Sequence, residues 1–174
     1  VLGPGARNLV GDFGLRVGPE AGSHASGAVG GVEIVAAQAG DLPAEGLALH
    51  VPAEGAAVVW SALVTAGAIP LGQRALDVLR IEDGRPWYGP DVTEENLLHE
   101  TGLVKDYHSP TKGCYVGQEV IARLEARGGN VNKLLRQLRM EGPVSAGTPL
   151  TAEDREVGRL TTSGVSPRLG PIAL

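Results

Sequence analysis

The chain has 174 residues, of which 43% are hydrophobic, and its formal net charge at pH 7 is −5. This size and apolar content suffice for one large domain or two small ones, and the acidic balance argues against general nucleic-acid binding. The single cysteine excludes an intrachain disulfide and a metal site built from several thiolates, so we expect a reducing, cytoplasmic location and no metal. No apolar stretch reaches the ~18 residues that a membrane helix needs.

The first half of the chain predicts a mixed α+β domain. Residues Pro19–Gly30 are small and polar, which is typical of a loop, whereas Gly31–Ala37 and Leu47–Val51 have the length and pattern of strands. Helices are predicted from about 54 to 66, where a proline and an acidic residue precede an apolar stripe, and from 72 to 82. Strands and helices in this order favour an α+β architecture.

The second half of the chain changes character near residue 130. A loop is predicted over Lys105–Gly113 and a helix over Tyr115–Ala126. Beyond them, short apolar segments spaced by Gly and Pro are typical of a small β-barrel: 134–140, 148–150, 156–162 and 171–174. We therefore predict one domain over 1–130 and a second over 131–174. Because the chain opens without Met and stops inside an apolar run, we expect the first domain to lack its N-terminal part and the second to be truncated.

Basic residues concentrate in one segment of this acidic chain. Residues 112–139 hold six basic and two acidic side chains, a local charge of +4 that leaves −9 for the rest of the chain. Such a field can attract an anionic ligand while the whole chain repels nucleic acid. The plainer interpretation is a helix face that carries ordinary surface arginines.

Cys114 lies between the predicted loop and the predicted helix. If the helix begins near Tyr115, its free amides and its dipole favour a thiolate, and Lys112 adds positive charge two residues away. Gln118 and Glu119 can hydrogen-bond a heterocycle that carries both acceptors and amine donors. The alternative is that Cys114 is a small buried hydrophobe, which is the usual state of a lone cysteine.

The run Lys112–Glu119, with the sequence KGCYVGQE, resembles the signature of the YgfZ family. A run that contains a cysteine, a tyrosine, a glutamine and two glycines is a specific match. Further segments are similar to YgfZ-type proteins or to the related aminomethyltransferases of glycine cleavage: Leu47–Trp60, Gly72–Gly84, Trp87–Gly89, Val120–Leu138 and Glu156–Leu174. The resemblance covers most of residues 31–174.

This resemblance implies a mixed α+β folate-binding domain followed by a C-terminal β-barrel, arranged around a central hole that holds tetrahydrofolate. YgfZ-type proteins assist the assembly or repair of iron–sulfur clusters in a folate-dependent way, and the motif cysteine that matters for this role corresponds to Cys114. Iron–sulfur enzymes or assembly proteins are then expected as partners, besides the folate derivative. The aminomethyltransferases instead transfer a one-carbon unit from an aminomethyl lipoyl arm to tetrahydrofolate, so the resemblance leaves open whether the chain is catalytic.

One departure from the transferases concerns an acidic turn, T-G-E-D-G, that is followed by an aromatic residue and a glutamate. The matching stretch here is Leu42–Ala48, in which Ala44 and Ala48 replace the two flanking glutamates and Glu45 remains to contact a pterin. Loss of these carboxylates weakens the case for glycine-cleavage chemistry.

Several other side chains are candidates for the folate cavity. Arg80 and Glu82 lie two residues apart in the second predicted helix, so they do not face each other. Either they line the cavity, or Arg80 braces a loop carbonyl. Tyr88, with Trp87, either stacks on a flat ring or fills a domain junction. His24, His50 and His99 show no metal-ligand spacing and are interpreted as structural or exposed. His108 lies in a polar loop and is interpreted as solvated.

Three classes of function remain. The first is a tetrahydrofolate-binding assembly factor that presents Cys114 for cluster maintenance, with Lys112 beside it. The second is an aminomethyltransferase or another folate-dependent one-carbon transferase. The third is a structural or interaction domain that needs no folate. The signature around Cys114 favours the first class.

Overall fold

The computed structural model describes residues 1–40 and 43–174 of the chain. These residues divide into two compact units, Val1–Leu76 and Asp77–Leu174. Their helices and strands form a mixed α+β architecture, as the sequence predicts. The domain boundary predicted between residues 130 and 131 falls inside the second unit and stays a prediction.

The first unit is built on a three-stranded antiparallel sheet. Strand β1 (His24–Val29) pairs with β2 (Val32–Ala37), and β2 pairs with β3 (Ala48–His50). The turn residues Gly30 and Gly31 have φ values of 60° and 81°, which glycine adopts without steric cost and which suit a two-residue hairpin. The strands predicted at 31–37 and 47–51 are thereby confirmed as β2 and β3.

Strand β1 corrects the loop prediction over Pro19–Gly30, which is wrong for His24–Val29. The strand consists mostly of small residues and includes a glycine, so its hydrophobic alternation is weak and only Val29 is fully buried. Pairing with β2 along its whole length satisfies its backbone groups. This tertiary pairing overrides the weak local preference.

The core of the first unit joins this sheet to two helices. Helix α1 (Ala6–Asp12) was hidden in the glycine-rich start of the chain, whereas α2 (Ala56–Thr65) matches the helix predicted at 54–66. Residues from both helices, the strands and the connecting segments form one buried apolar cluster: Val10, Leu15, Val17, Val29, Ile34, Ala36, Leu47 and Val59. Burying such aliphatic side chains is the main stabilising contribution, about 1.5–3 kcal/mol for each large one.

Three helices lie in the remaining chain before residue 130. Helix α3 (Gln73–Glu82) matches the helix predicted at 72–82. The short helix α4 (Val104–Tyr107) occupies the start of the predicted loop Lys105–Gly113, so that prediction is wrong for residues 105–107. Helix α5 (Gln118–Ala126) ends where it was expected to end but begins three residues later than predicted. Among the described residues, no helix combines the length and the apolar character that crossing a membrane requires.

The C-terminal strands form two small antiparallel sheets. In the first, the order is β4-β8-β7, with β4 at Leu138–Arg139, β7 at Ser163–Ser166 and β8 at Gly170–Ala173. The second is a hairpin of β5 (Pro149–Ala152) and β6 (Arg155–Arg159). Short strands were predicted in this region, but their closure into a barrel stays a prediction.

The core of the second unit lies between α3 and strand β8. Ile81 of α3 is buried with Ile172 and Leu174, and partly buried aliphatic residues surround this cluster. The Gln137 amide donates hydrogen bonds to the carbonyl oxygens of Ile81 and Glu82, at 2.5 and 3.0 Å, which satisfies two of the orphan acceptors at the C-terminal end of the helix. The unit therefore fixes the end of α3, where Arg80 and Glu82 project.

Candidate functional site

Cys114 is exposed in the structure. Its residue type alone favoured burial, so the exposed thiol removes the alternative of a small buried hydrophobe. Helix α5 begins at Gln118, and the preceding residue, Gly117, has a φ of 86° in the left-handed region. The prediction of a helix from Tyr115 is wrong because this left-handed glycine interrupts the helical path. The argument that the first helical amides lie directly beside the thiol therefore loses its premise.

The residues after Cys114 form a tight turn that leads into α5. The Tyr115 amide donates to Oε1 of Gln118 at 3.1 Å, and the Gln118 amide donates to the Tyr115 carbonyl at 3.3 Å. Oε1 of Gln118, which was expected to hydrogen-bond a ligand, thus accepts a hydrogen bond within the turn. The Glu119 side chain is 86% exposed and forms a solvent-exposed ion pair with Arg123 at 3.5 Å. A carboxylate in such a setting is available to a ligand.

Lys112 lies over the aromatic ring of Tyr115, with its Nζ 4.2 Å from the ring centroid. This is a cation–π distance, so the ring and the ammonium are mutually attracted. The edge of the His108 ring approaches the same tyrosine, and His108 Nδ1 lies 3.1 Å from Oε1 of Glu125 on α5. The structure therefore brings Lys112 and Tyr115 together, and it adds His108 and Glu125, to which the sequence assigned no role at this site.

Arg80 is 1% exposed and is held by several acceptors. Its Nε donates to Asp77 at 2.8 Å, one Nη donates to Asp91, and the other Nη donates to the Thr162 hydroxyl at 2.9 Å. The carbonyl oxygen of Arg85 lies 3.5 Å from the guanidinium. The structure thus places Arg80 in a buried hydrogen-bond network. Its long contact with the Arg85 carbonyl corresponds to the alternative in which Arg80 braces a loop carbonyl.

Asp91 is the centre of this network and was missed by the sequence reasoning. Its side chain has no exposed surface, and it accepts hydrogen bonds from the backbone amide of Trp87 at 2.9 Å and from Thr161 and Thr162 at 2.6 Å each. A buried carboxylate needs partners of this kind to offset its desolvation. The sequence around Asp91 does not indicate that it is a buried hydrogen-bond acceptor, because its threonine partners lie 70 and 71 residues further along the chain.

Glu82 and Tyr88 differ in exposure and in partners. The carboxylate of Glu82, 14% exposed, accepts from the Ser166 hydroxyl and lies 3.0 Å from the guanidinium of Arg168. Tyr88 is 71% exposed, and its hydroxyl donates to Glu94 at 2.6 Å. This hydrogen bond raises the pKa of Tyr88 above its usual value and lowers the pKa of Glu94. Glu82 is thus engaged in a structural pair, whereas the ring of Tyr88 is open to a ligand.

Glu45 belongs to the first unit and is exposed. Part of the stretch that matches the acidic turn, Leu42, lies outside the described residues. The same unit carries an open depression of about 500 Å³ along its sheet, lined by Ser26, Glu33, Ile34, Val35, His50, Val51 and Pro52. In the part of the chain that the structure describes, no group of three or more His, Cys, Asp or Glu residues could hold a metal ion.

Comparison with known proteins shows the family. Residues 1–105 match the family described as the GCVT N-terminal domain, which is more than half of the chain. The chain therefore belongs to this family and to the GcvT-like superfamily, as its resemblance to the aminomethyltransferases implied. The matched region ends before Cys114, so the family assignment does not depend on the cysteine motif.

Named relatives extend the similarity over most of the chain. The chloroplastic "Putative transferase" of Arabidopsis thaliana is 33% identical over 93% of this chain and 38% of its own length. An "Aminomethyltransferase" of Cutibacterium acnes is 33% identical over 86% of this chain and 41% of its length, and one of Nostoc sp. is 34% identical over 75% and 35%. The chain thus spans well under half the length of these relatives.

Proposed function

We propose that this chain is part of a tetrahydrofolate-binding protein of the YgfZ type, which assists the assembly or repair of iron–sulfur clusters through Cys114. The observation that carries the proposal is the run Lys112–Glu119, whose thiol stands exposed on a loop before α5. An exposed thiol is accessible to a partner protein or to a bound one-carbon group. Membership of the GcvT-like superfamily supports folate as the ligand.

The candidate residues fit a reduced folate to different degrees. Glu119 offers an open carboxylate to the N–H groups of a pterin, and the exposed ring of Tyr88 offers a face for stacking. Arg80, in contrast, is buried and has a bonded partner at each of its three nitrogens. The proposal therefore gives Arg80 and Glu82 a supporting role and assigns ligand contact to Lys112, Tyr115, Gln118, Glu119 and Tyr88. Glu45, which belongs to the first unit, stays a separate candidate for contact with a pterin. Tetrahydrofolate would supply the one-carbon chemistry, while these side chains bind and orient it.

The test of the cysteine role uses cells that depend on the full-length protein for an iron–sulfur enzyme. We expect Cys114→Ser to lower the activity of that enzyme at an unchanged level of the protein. Val116→Ala is the matched control, because Val116 lies in the same loop and is fully exposed. An enzyme activity in Cys114→Ser cells equal to that in wild-type cells would reject the proposal.

The second candidate is an aminomethyltransferase or another tetrahydrofolate-dependent one-carbon transferase. The names of the Cutibacterium acnes and Nostoc relatives favour it, and the replacement of two glutamates by Ala44 and Ala48 weighs against it. Incubation of the full-length protein with aminomethylated lipoyl protein and tetrahydrofolate decides the matter. Formation of methylene-tetrahydrofolate supports the transferase, and absence of turnover dismisses it.

The cytoplasmic location remains a prediction, and one relative is named chloroplastic.

A further inference from the structure

The segment that carries Cys114 is a surface loop with two anchored ends. We define the cysteine loop as residues 109–117. Its first six residues, 109–114, are all exposed, whereas the residues on either side of them, His108 and Tyr115, are partly buried. The side chain of His108 is 9% exposed. The exposed stretch therefore begins and ends at an aromatic ring that packs against the protein.

The two rings contact each other. The centroids of His108 and Tyr115 are 6.4 Å apart and the ring planes make an angle of 64°, which is an edge-to-face arrangement. Because the rings flank the exposed stretch, this contact brings its two ends together. Loops closed in this way are compact even when their tips are solvated.

His108 is held by the helix that follows the loop. Its Nδ1 lies 3.1 Å from Oε1 of Glu125, in the last turn of α5. This approach of a ring nitrogen to a carboxylate oxygen fixes which edge of the imidazole faces the helix. The residue before the loop is thereby tied to the end of the helix after it.

The contacts continue towards the thiol. The ring of Tyr115 carries the ammonium of Lys112 at 4.2 Å, and the Tyr115 amide is bonded to Oε1 of Gln118. Lys112 and Tyr115 flank Cys114 closely in sequence, one on each side of it. A displacement of the His108 ring would therefore move Tyr115, which it contacts, and with it Lys112, which lies over the Tyr115 ring.

We propose that His108, held by Glu125, is a positioning residue that fixes the cysteine loop and with it the presentation of Cys114. This inference rests on the proposed function for its biological meaning, although the loop geometry stands by itself. His108 acts through Tyr115, and Glu125 sets the orientation of the imidazole. Sequence alone does not show this pairing, because the two residues lie on opposite sides of the cysteine loop. His108 follows the end of α4, and Glu125 lies near the end of α5.

Amide hydrogen exchange of the full-length protein tests the positioning directly. We expect the Tyr115 and Gln118 amides to exchange about five-fold faster in His108→Ala and in Glu125→Ala. Glu125→Gln should stay nearer to the wild type than Glu125→Ala, because glutamine keeps the length of the side chain and a polar oxygen opposite Nδ1. Lys105→Ala, an exposed change on α4, is the control. Exchange rates in His108→Ala equal to those of the wild type would overturn the proposal.

The cluster-enzyme assay in cells adds a readout that general destabilisation would not reproduce. At equal protein levels, we expect lower activity in His108→Ala and Glu125→Ala, retained activity in Glu125→Gln, and no further loss in the double alanine variant. Loss in Glu125→Gln equal to that in Glu125→Ala would contradict a role for the polar contact with Nδ1. Faster exchange in His108→Ala with full activity in Cys114→Ser rejects the proposed function and supports the positioning. Unchanged exchange in His108→Ala with lost activity in Cys114→Ser supports the proposed function and rejects the positioning role of His108.

Discussion

Arg80 and Asp91 form an ion pair that is closed off from solvent, with 1% of the first side chain and none of the second exposed. The pair joins α3 to the segment that carries Asp91, and Thr161 and Thr162, between β6 and β7, donate to the same aspartate. The Trp87 ring covers the guanidinium at 5.1 Å. The network therefore keeps a buried charge pair fully hydrogen-bonded, which is the condition under which such pairs are tolerated.

Removal of one partner from this pair should be strongly destabilising. We expect Asp91→Ala to lower the free energy of unfolding of the full-length protein by about 3 kcal/mol, since it removes the buried carboxylate and leaves the guanidinium with the partly exposed Asp77 as its ionic partner. Urea unfolding followed by circular dichroism measures the change. Asp83→Ala removes the exposed partner of Arg85 and should cost about 1 kcal/mol or less. Equal losses in the two variants would show that the Asp91 network is not structural.

The Tyr88–Glu94 hydrogen bond should be visible in a titration. Tyr88→Phe removes the donor and should raise the pKa of Glu94 back towards its ordinary value of 4.5, which NMR of the Glu94 carboxyl carbon measures. Because the folded pKa of Glu94 is lowered, its contribution to stability is present above that ordinary value and is lost as pH falls through the folded pKa. The raised pKa of Tyr88 acts in the opposite sense: its contribution is lost as pH rises through the folded value above 10.

A titration midpoint for Glu94 that is the same in the wild type and in Tyr88→Phe would contradict this prediction. The phenylalanine keeps the ring, and folate stacking on it should persist if that is the role of Tyr88.

Close packing in the first unit predicts a second stability effect. A Cβ atom at Gly55 would lie 2.4 Å from Cγ1 of Val32, so Gly55→Ala must displace β2 or the start of α2. We expect a loss of about 1–3 kcal/mol in the free energy of unfolding. Gly142→Ala is the control, because a Cβ there meets nothing within 4 Å. A Gly55→Ala protein as stable as the Gly142→Ala protein would contradict the packing.

The β5–β6 hairpin offers a stabilising change. Ala152 pairs with Arg155, so the turn consists of Glu153 and Asp154, whose φ values are 48° and 63°. Glutamate resists this left-handed region, which Gly adopts freely and which Asn and Asp tolerate. Replacement by Asn-Gly, which suits such two-residue turns, should raise the free energy of unfolding by about 1 kcal/mol. Thermal unfolding measures it, and an unchanged or lower midpoint would show that the turn has another conformation.

The elements with a strong local signal could be predicted from the sequence. Strand β2 has buried aliphatic residues in its centre, and α3 places Ile81 on a core face, so their patterns match their environments. Strand β1 escaped because its residues are small and its stability comes from pairing with β2. The start of α5 was misplaced because the left-handed conformation of Gly117 cannot be read from a run that is otherwise compatible with a helix.

The candidate site shows the same division. The motif identified Cys114 and Lys112, and the structure leaves both exposed. Asp91 and His108 were missed because each depends on partners distant in sequence, which one chain without a fold does not reveal. Arg80 was a candidate for the folate cavity, but its buried partner Asp91 was not predicted, since local spacing indicates only neighbours on the same helix such as Asp77.

The proposed function requires that the full-length protein binds a reduced folate. Calorimetric titration with folinic acid tests it most directly, because this stable reduced folate carries both the pterin and the glutamate tail. We predict saturable binding with one ligand per chain, and weaker binding when Tyr115 is replaced by Ala. Absence of saturable binding to the folded full-length protein would contradict the account and would leave a structural or interaction domain as the remaining interpretation.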